Sequence, residues 1–307
     1  MSETAEGTVR SAGRGAHSEA DRELLRGQIE QLAAVPAAES LPDYATNVVN
    51  ELLDALERGQ VRAAVRGADG VWSAVPWVKR GILLAFRVGI VAPAVGPEGG
   101  RPVGDDAAFW DKHTLPIRRF HPADRVRIVP GGSAVRRGAH LSPGVVCMPP
   151  MYVNVGAWVG SGTMIDSHAL VGSCAQVGAG VHVSAAAQIG GVLEPVNASP
   201  VVVEDDAVIG GNVGVYEGTI VRRGAVLGAG VVLTRGTPVY DLVNETVHRG
   251  SAERPLEIPG NAVVVGGGRR VGSPWAAEQG LSLYTPVIVK YRDMKTDLAT
   301  ALEGWLR

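Results

Sequence analysis

Only 3 Phe, 6 Trp and 6 Tyr occur among the 307 residues, which rules out a core filled by aromatic rings. The 2 cysteines, Cys147 and Cys174, give neither a metal-ligand spacing nor a disulfide framework. Cys147 reads as a core residue and Cys174 as a packed small residue near a corner. No apolar run approaches the length of a membrane span. Residues 1–19 lack the apolar centre of a signal peptide, so the expectation is a cytoplasmic protein with no membrane partner. Neither sign of charge dominates: 29 Lys and Arg face 31 Asp and Glu, a net charge of −2. That balance gives no electrostatic reason to expect nucleic acid.

What is abundant is glycine, 41 residues, together with a period of six. An apolar residue returns at every sixth position from Leu141 to Ile189, and again from Val203 to Val239. Two positions before each lies a second, mostly small column that runs from Ala139 to Thr237, with Met151 its one bulky member. Two inward positions spaced by two make a short strand, because alternate side chains leave a strand on opposite faces. Strand and corner together make the repeat. A period of six also smears apolar residues around a helix of 3.6 residues per turn, which excludes helix here.

Hexapeptide units of this kind build a parallel β-helix, in which each unit buries its face only by stacking on neighbours. Three units close a triangular coil, so residues eighteen apart should lie above one another. Fourteen positions separate Ile189 from Val203. Read as two repeats plus two residues, the spacing predicts that Gly190–Pro200 leaves the prism as a loop over a binding site.

The flanks are irregular. Residues 1–17 read as a disordered extension, and 18–107 as an α/β domain with its linker. Within that domain, one apolar helical face spans Ser18 to Ala34 and a second runs from Asp43 to about Gly59. Two short strands flank the turn at Gly67–Gly70, and a helix opens at Pro76. Residues 92–107 are the linker candidate. The β-helix domain is expected over 108–265, entered by a basic, aromatic passage from Phe109 to Phe120. Residues 241–257 read as loop, Ala262–Val265 and Leu281–Tyr291 as strands, and Lys295–Leu306 as a helix within a C-terminal extension over 266–307.

Such a prism serves several classes of function: acyl transfer from a thioester, a zinc hydratase site, or a scaffold. The zinc site needs three converging histidines. His140, His168 and His182 occupy three different positions modulo eighteen, which argues against it. His182 should face outward beside Ser184. Outward apolar residues Val146, Trp158, Leu170, Val208, Ile220 and Val226 would be exposed on a single chain, so self-association is expected.

Three separated regions resemble one family. Tyr152–Gly156, Gly162–Asp166, Val171–Gly178 and Ile189–Pro195 in the repeat, Trp77–Arg80 with Phe86–Arg87 before it, and Ser282–Tyr284 with Val287–Lys290 after it look like the tetrahydrodipicolinate N-succinyltransferases. The likeness covers about residues 45–306. It implies a homotrimer of left-handed β-helices, an exception to the usual right-handed crossover. It also implies succinyl-CoA, or another acyl-CoA, as co-substrate with no permanently bound cofactor, and a small amine acceptor held between subunits. Carried over residue by residue, Asp166 is the catalytic carboxylate, while Arg127, Met164 and Ser173 bind the acceptor. Arginine suits that role because its planar fork recognises a carboxylate bidentately. Ser184, Ala185, Gly190, Gly191, Gly210, Gly228 and Lys290 are the CoA-binding candidates. Asp166 and Ser184 are eighteen apart and should stack at one corner; Gly190 and Gly191 could let backbone approach pantetheine or donate N–H groups to an oxyanion.

The chain also departs from the resemblance. A second carboxylate of the family falls, by ungapped matching, on Gly214, and Ser184-Ala185-Ala186 replaces Ser-Gly-Gly. The expectation is therefore acyl transfer to a smaller acceptor whose nitrogen is neutral at pH 7, such as a hydrazino acid. The alternatives are the lysine-pathway acceptor and a trimer without activity.

Overall fold

The computed structural model describes residues 18–94 and 109–293. The expectations for residues 1–17, for most of the 92–107 linker and for the Lys295–Leu306 helix fall outside them.

Where the period of six runs, each repeat contributes a two-residue strand, and successive strands join three sheets in turn. The first face carries Arg127–Ile128, Val146–Cys147, Met164–Ile165, His182–Val183, Val208–Ile209 and Val226–Leu227. The second carries Ala134–Val135, Tyr152–Val153, Leu170–Val171, Gln188–Ile189, Gly214–Val215 and Val232–Leu233. The third carries His140–Leu141, Trp158–Val159, Gln176–Val177, Val202–Val203, Ile220–Val221 and Glu257–Ile258. All these strands pair in parallel, and where no insertion intervenes the offset is the expected eighteen: Trp158 opposes Gln176, Met164 opposes His182 and Leu170 opposes Gln188. The second residue of each strand points to the axis, and Val159, Ile165, Val171, Val177, Val183 and Ile189 are completely buried. Each such side chain stabilises the prism by about 1.5–3 kcal/mol. The fold is the mainly β, hexapeptide-repeat parallel β-helix that the period implies.

Two expectations about the repeat need correction. The rung after Gln188–Ile189 is Val202–Val203, on the very next face. The fourteen positions are therefore one repeat of six and a loop of eight, because a loop may leave and return at one corner at any length. The period also runs through Val239, yet the rung above Ile220–Val221 is Glu257–Ile258. Val239–Asp241 instead pairs with Thr246–His248 and with Ser282–Tyr291, so 241–257 is not simply loop. The strands expected near Ala262 and Leu281 form a long antiparallel hairpin, Ala262–Arg270 with Ser282–Tyr291, that stacks on Val226–Leu227 and closes the prism. Asp241 ties this closure, its carboxylate accepting from Tyr291 Oη at 2.7 Å and Asn244 Nδ2 at 2.9 Å.

Helices α1 (Glu19–Ala33), α2 (Ala45–Glu57) and α3 (Pro76–Val88) pack through Leu25, Ile29, Leu52, Leu53 and Ile82, all buried. Ser18 begins α1 with a capping box, its Oγ accepting from Asp21 N at 3.1 Å. The helical unit and the Ala64–Ala74 hairpin cover the third face. His140 Nδ1 meets Glu57 O at 2.8 Å, the His140 and Trp158 rings stack at 4.0 Å, and Arg62 lies over Trp158 at 4.0 Å while donating to Gln176 at 3.0 Å. Trp72 Nε1 donates to Glu204 at 2.9 Å. Trp158 and Ile220, expected to be exposed, are thus covered by their own chain, and Ile220 is fully buried. Val146 is nearly buried too, whereas Leu170, Val208 and Val226 remain half-buried on the other two faces.

Candidate functional site

The corner between the first and second faces brings four of the sequence candidates into line. Asp166 N donates to Val183 O, Ser184 N to Ile209 O, Gly210 N to Leu227 O and Gly228 N to Val264 O, all at 2.8–2.9 Å. Asp166, Ser184, Gly210 and Gly228 therefore succeed one another up a single edge, one per coil, roughly 4.8 Å apart. Two of the four are glycine, and at Gly210 close backbone packing requires it, since a Cβ there would fall 2.7 Å from Ala229 N and from Leu227 O. Asp166 is half-buried; Oδ1 accepts from Ser167 N at 2.7 Å, and no cation pairs with it among the described residues. Its second oxygen is available. Ala185 adjoins this edge, with its carbonyl taken by Asn212 N at 3.0 Å. Lys290 sits on the closing hairpin opposite Val263 and is paired with Asp293 at 3.2 Å.

Arg127 and Met164 stand on the outer side of the first face, two rungs apart with Val146 between them. Arg127 is exposed and Met164 is 91 % buried, at 9 % relative exposure. Both stand on the face whose strands lead into the Asp166 edge.

The remaining candidates lie at the next corner, across the second face. Six residues separate Ser184 from Gly190, a reach of roughly 20 Å at most. Here Gly172 must be glycine, because a Cβ would fall 2.2 Å from Gly191 N. Ser173 O accepts from Val192 N at 3.1 Å and so holds the base of the 190–200 loop. Gly190 N already donates to Val215 O at 2.8 Å, which removes it as an oxyanion donor. Gly191 N–H, by contrast, has no acceptor among the described residues.

Below the loop opens a cavity of about 450 Å³, bounded by Gly190, Gly191, Ala198, Tyr216, Glu217 and Arg235 among others. Its roof is fastened to the helical unit, since the fully buried Lys79 of α3 donates to Ala198 O at 2.6 Å. Burial lowers the Lys79 pKa, with Cys174 opposing. Both thiols are pushed up to about 12 by burial, which leaves Cys147 and Cys174 as packing residues.

Gly214 explains itself once the ring above it is seen. It occupies an outward strand position on the second face, and a Cβ there would lie 2.4 Å from Tyr216 Cε2 and 3.0 Å from Tyr216 Oη. Tyr216 fills the space that a side chain at 214 would need. The phenol hydroxyl has no hydrogen-bond partner among the described residues.

The comparisons with known proteins fall on both parts of the chain. A model described as the tetrahydrodipicolinate N-succinyltransferase N-terminal region matches residues 26–88, and one described as the hexapeptide repeat of succinyl-transferase matches 200–235. A 2,3,4,5-tetrahydropyridine-2,6-dicarboxylate N-succinyltransferase of Chelativorans sp. is 40 % identical over 264 residues, 84 % of this chain and 88 % of that protein. The chain belongs to this succinyltransferase family. Its likeness to the Bradyrhizobium diazoefficiens protein of the same name is 42 % over 84 % of this chain and 89 % of the relative. A crystal structure from Campylobacter jejuni, described as a 2,3,4,5-tetrahydropyridine-2-carboxylate N-succinyltransferase, superposes with a TM-score of 0.50 at 18 % identity, covering 83 % of this chain and 64 % of that one. At that identity it speaks for the fold. The family member described here is an acyltransferase.

Sequence reasoning noted Lys79 only as part of a motif and gave no role to Tyr216 or Arg235. One signal was legible for Tyr216. Positions i and i+2 of a strand share a face, so Gly214 followed by a tyrosine at 216 announces a ring lying over a bare backbone.

Proposed function

We propose that this acyltransferase moves a succinyl group from succinyl-CoA to the nitrogen of a small, amino-acid-like acceptor that is weakly basic, such as a hydrazino acid. The observation that carries the reading is Gly214: Tyr216 occupies the place where the family resemblance puts a second carboxylate, while Asp166 is retained. The acceptor nitrogen attacks the thioester carbonyl, the C–N bond forms, and the C–S bond breaks with the CoA thiolate taking up a proton. An ordinary alkylammonium must first lose a proton, which two carboxylates can assist. A nitrogen already neutral at pH 7 needs only one group to take the proton it sheds, and the free Asp166 oxygen suits that task. Gly191 N–H is the backbone donor open to the oxyanion.

The two corners that hold these groups flank the second face. A ligand that meets both requires the Asp166 edge of one subunit to pack beside the loop corner of the next, an arrangement that the homotrimer implied by the family resemblance would supply. The extended row from Asp166 to Gly228 suits a pantetheine arm lying along the prism.

A second reading has its own support: the relatives at about 40 % identity are named for the lysine-pathway acceptor. The deciding experiment is thiol release from succinyl-CoA against the cyclic dicarboxylate, simple amino acids and hydrazino acids, with acetyl-CoA in parallel. Turnover confined to weakly basic nitrogens is the expected result. Equal or better turnover of the cyclic dicarboxylate establishes the second reading, and no thiol release with any acceptor leaves a trimer without activity.

A further inference from the structure

The cavity beneath the 190–200 loop is lined by three residues, Arg235, Tyr216 and Gly191, that each carry a hydrogen-bond donor meeting no acceptor among the described residues. Arg235 makes no ion pair among the described residues, although Glu217 and Glu194 line the same cavity; the Glu217 carboxylate instead accepts from Arg235 backbone N at 3.1 Å. Arg235 Nε is buried and has no hydrogen-bond partner among the described residues. A buried, unsatisfied donor on a cation costs more than a neutral one, so such an arginine calls for an anion. The second donor is the Tyr216 hydroxyl, held over Gly214 by the contact that excludes any side chain there. The third is Gly191 N–H at the loop exit.

We propose that this cavity is a carboxylate-selecting pocket, in which Arg235 supplies the charge and Tyr216 the neutral hydroxyl that fixes orientation. A planar carboxylate accepts a guanidinium fork and a phenol together, whereas a thioester methyl satisfies neither. Glu194 and Glu217 are both exposed, so their repulsion of an incoming carboxylate is screened by solvent. Either partner of the reaction can bring that carboxylate, the succinyl end of the donor or the acid group of the acceptor. The pocket assignment rests on the proposed acyl transfer only for the choice of these ligands.

Calorimetric affinities keep the test independent of turnover. Succinyl-CoA is compared with acetyl-CoA, and hydrazinoacetate with methylhydrazine in the presence of CoA, for the wild type, Arg235→Gln, Arg235→Lys and Tyr216→Phe. The expected result is that Arg235→Gln weakens the carboxylate-bearing member of one pair by roughly 10- to 100-fold and leaves its partner unchanged. Tyr216→Phe weakens the same member by roughly 3- to 10-fold, and Arg235→Lys recovers part of the loss. The pair that responds identifies the source. Tyr216→Phe keeps the ring over Gly214, so it carries the test alone if Arg235→Gln does not fold. Equal losses for both members of each pair, no loss for any, or no binding by the wild type overturns the pocket. Selective binding without thiol release sinks the acyl-transfer reading and leaves the pocket standing.

Discussion

The third face of the prism and the other two are built from one repeat, yet they have different fates. Their inward residues are interchangeable aliphatics. Outward, the third face presents His140, Trp158, Gln176 and Glu257, and every one of the first three engages the chain's own helical unit or hairpin or a side chain that does. The first and second faces present Leu170, Val208 and Val226 half-buried, with Val146 and Met164 as their more closely covered members. The inward column makes a prism, and the outward column decides what each side of it is for. Stability is thus invested on the covered side, and the candidate chemistry lies along the open one.

The sharpest way to test that division is a change on the open edge that alters rate without altering stability. Asp166→Asn should lower thiol release by about 10²–10⁴-fold, because the free carboxylate oxygen is the group placed to take the acceptor proton. Its thermal unfolding should match the wild type, since no ion pair is lost. A loss of rate smaller than tenfold removes Asp166 from the proton-transfer role.

The covered side should behave in the opposite way. Lys79→Ala deletes a buried side chain and leaves Ala198 O without its donor, so denaturant unfolding should show a loss of about 2–4 kcal/mol. Because Lys79 fastens the loop over the cavity, the affinity for acyl-CoA should fall with it. Unchanged stability would mean that the loop holds itself.

How much of this was legible in the sequence follows the same line. Leu141 to Ile189 could be placed on the axis by counting, because only an axis requires an apolar residue at each sixth position. The stacking of Asp166 on Ser184 followed from the same count. The fourteen-residue gap before Val203 was misread because it can be divided in two ways, and only the pairing of Gln176 with Val202 selects one. Trp158 and Ile220 looked like subunit contacts because what covers their face, the Ala64–Ala74 hairpin and Arg62, lies between 84 and 158 residues away in the chain. Outward burial is a tertiary fact that no periodicity carries. Tyr216 and Arg235 were missed for the same reason, since their meaning comes from what they lie over or fail to meet.

The open faces can be challenged through association. Val208→Asp places a charge at a half-buried outward position of the first face. If that face is closed by a second copy, sedimentation should show dissociation at protein concentrations about 10-fold or more higher than for the wild type, the effect of losing one buried valine. A variant that assembles as the wild type does would locate the subunit contact elsewhere.

The smallest expected effect lies in the pH dependence of the covered face. His140 is wedged between Glu57 O and Ser142 Oγ at 2.8 and 3.0 Å and stacked on Trp158. A neutral ring with Nδ1 as donor and Nε2 as acceptor satisfies both contacts, an assignment made from the partners. Burial lowers its pKa; the bond to Glu57 O opposes this, and Arg118 and Arg62 lower it further. Below the ordinary value of 6.5 the unfolded chain therefore binds a proton that the folded one refuses. Stability should fall as pH drops from 6.5 through the depressed folded value and then level off. Glu57 acts in the other direction: burial raises its pKa above 4.5, so its contribution is full below 4.5 and is lost as pH rises through the raised value. The His140 share is isolated as the wild type minus His140→Gln across that range. A difference that does not change with pH would show that the ring is free to take a proton in place, and that the third face is less tightly closed than its contacts imply.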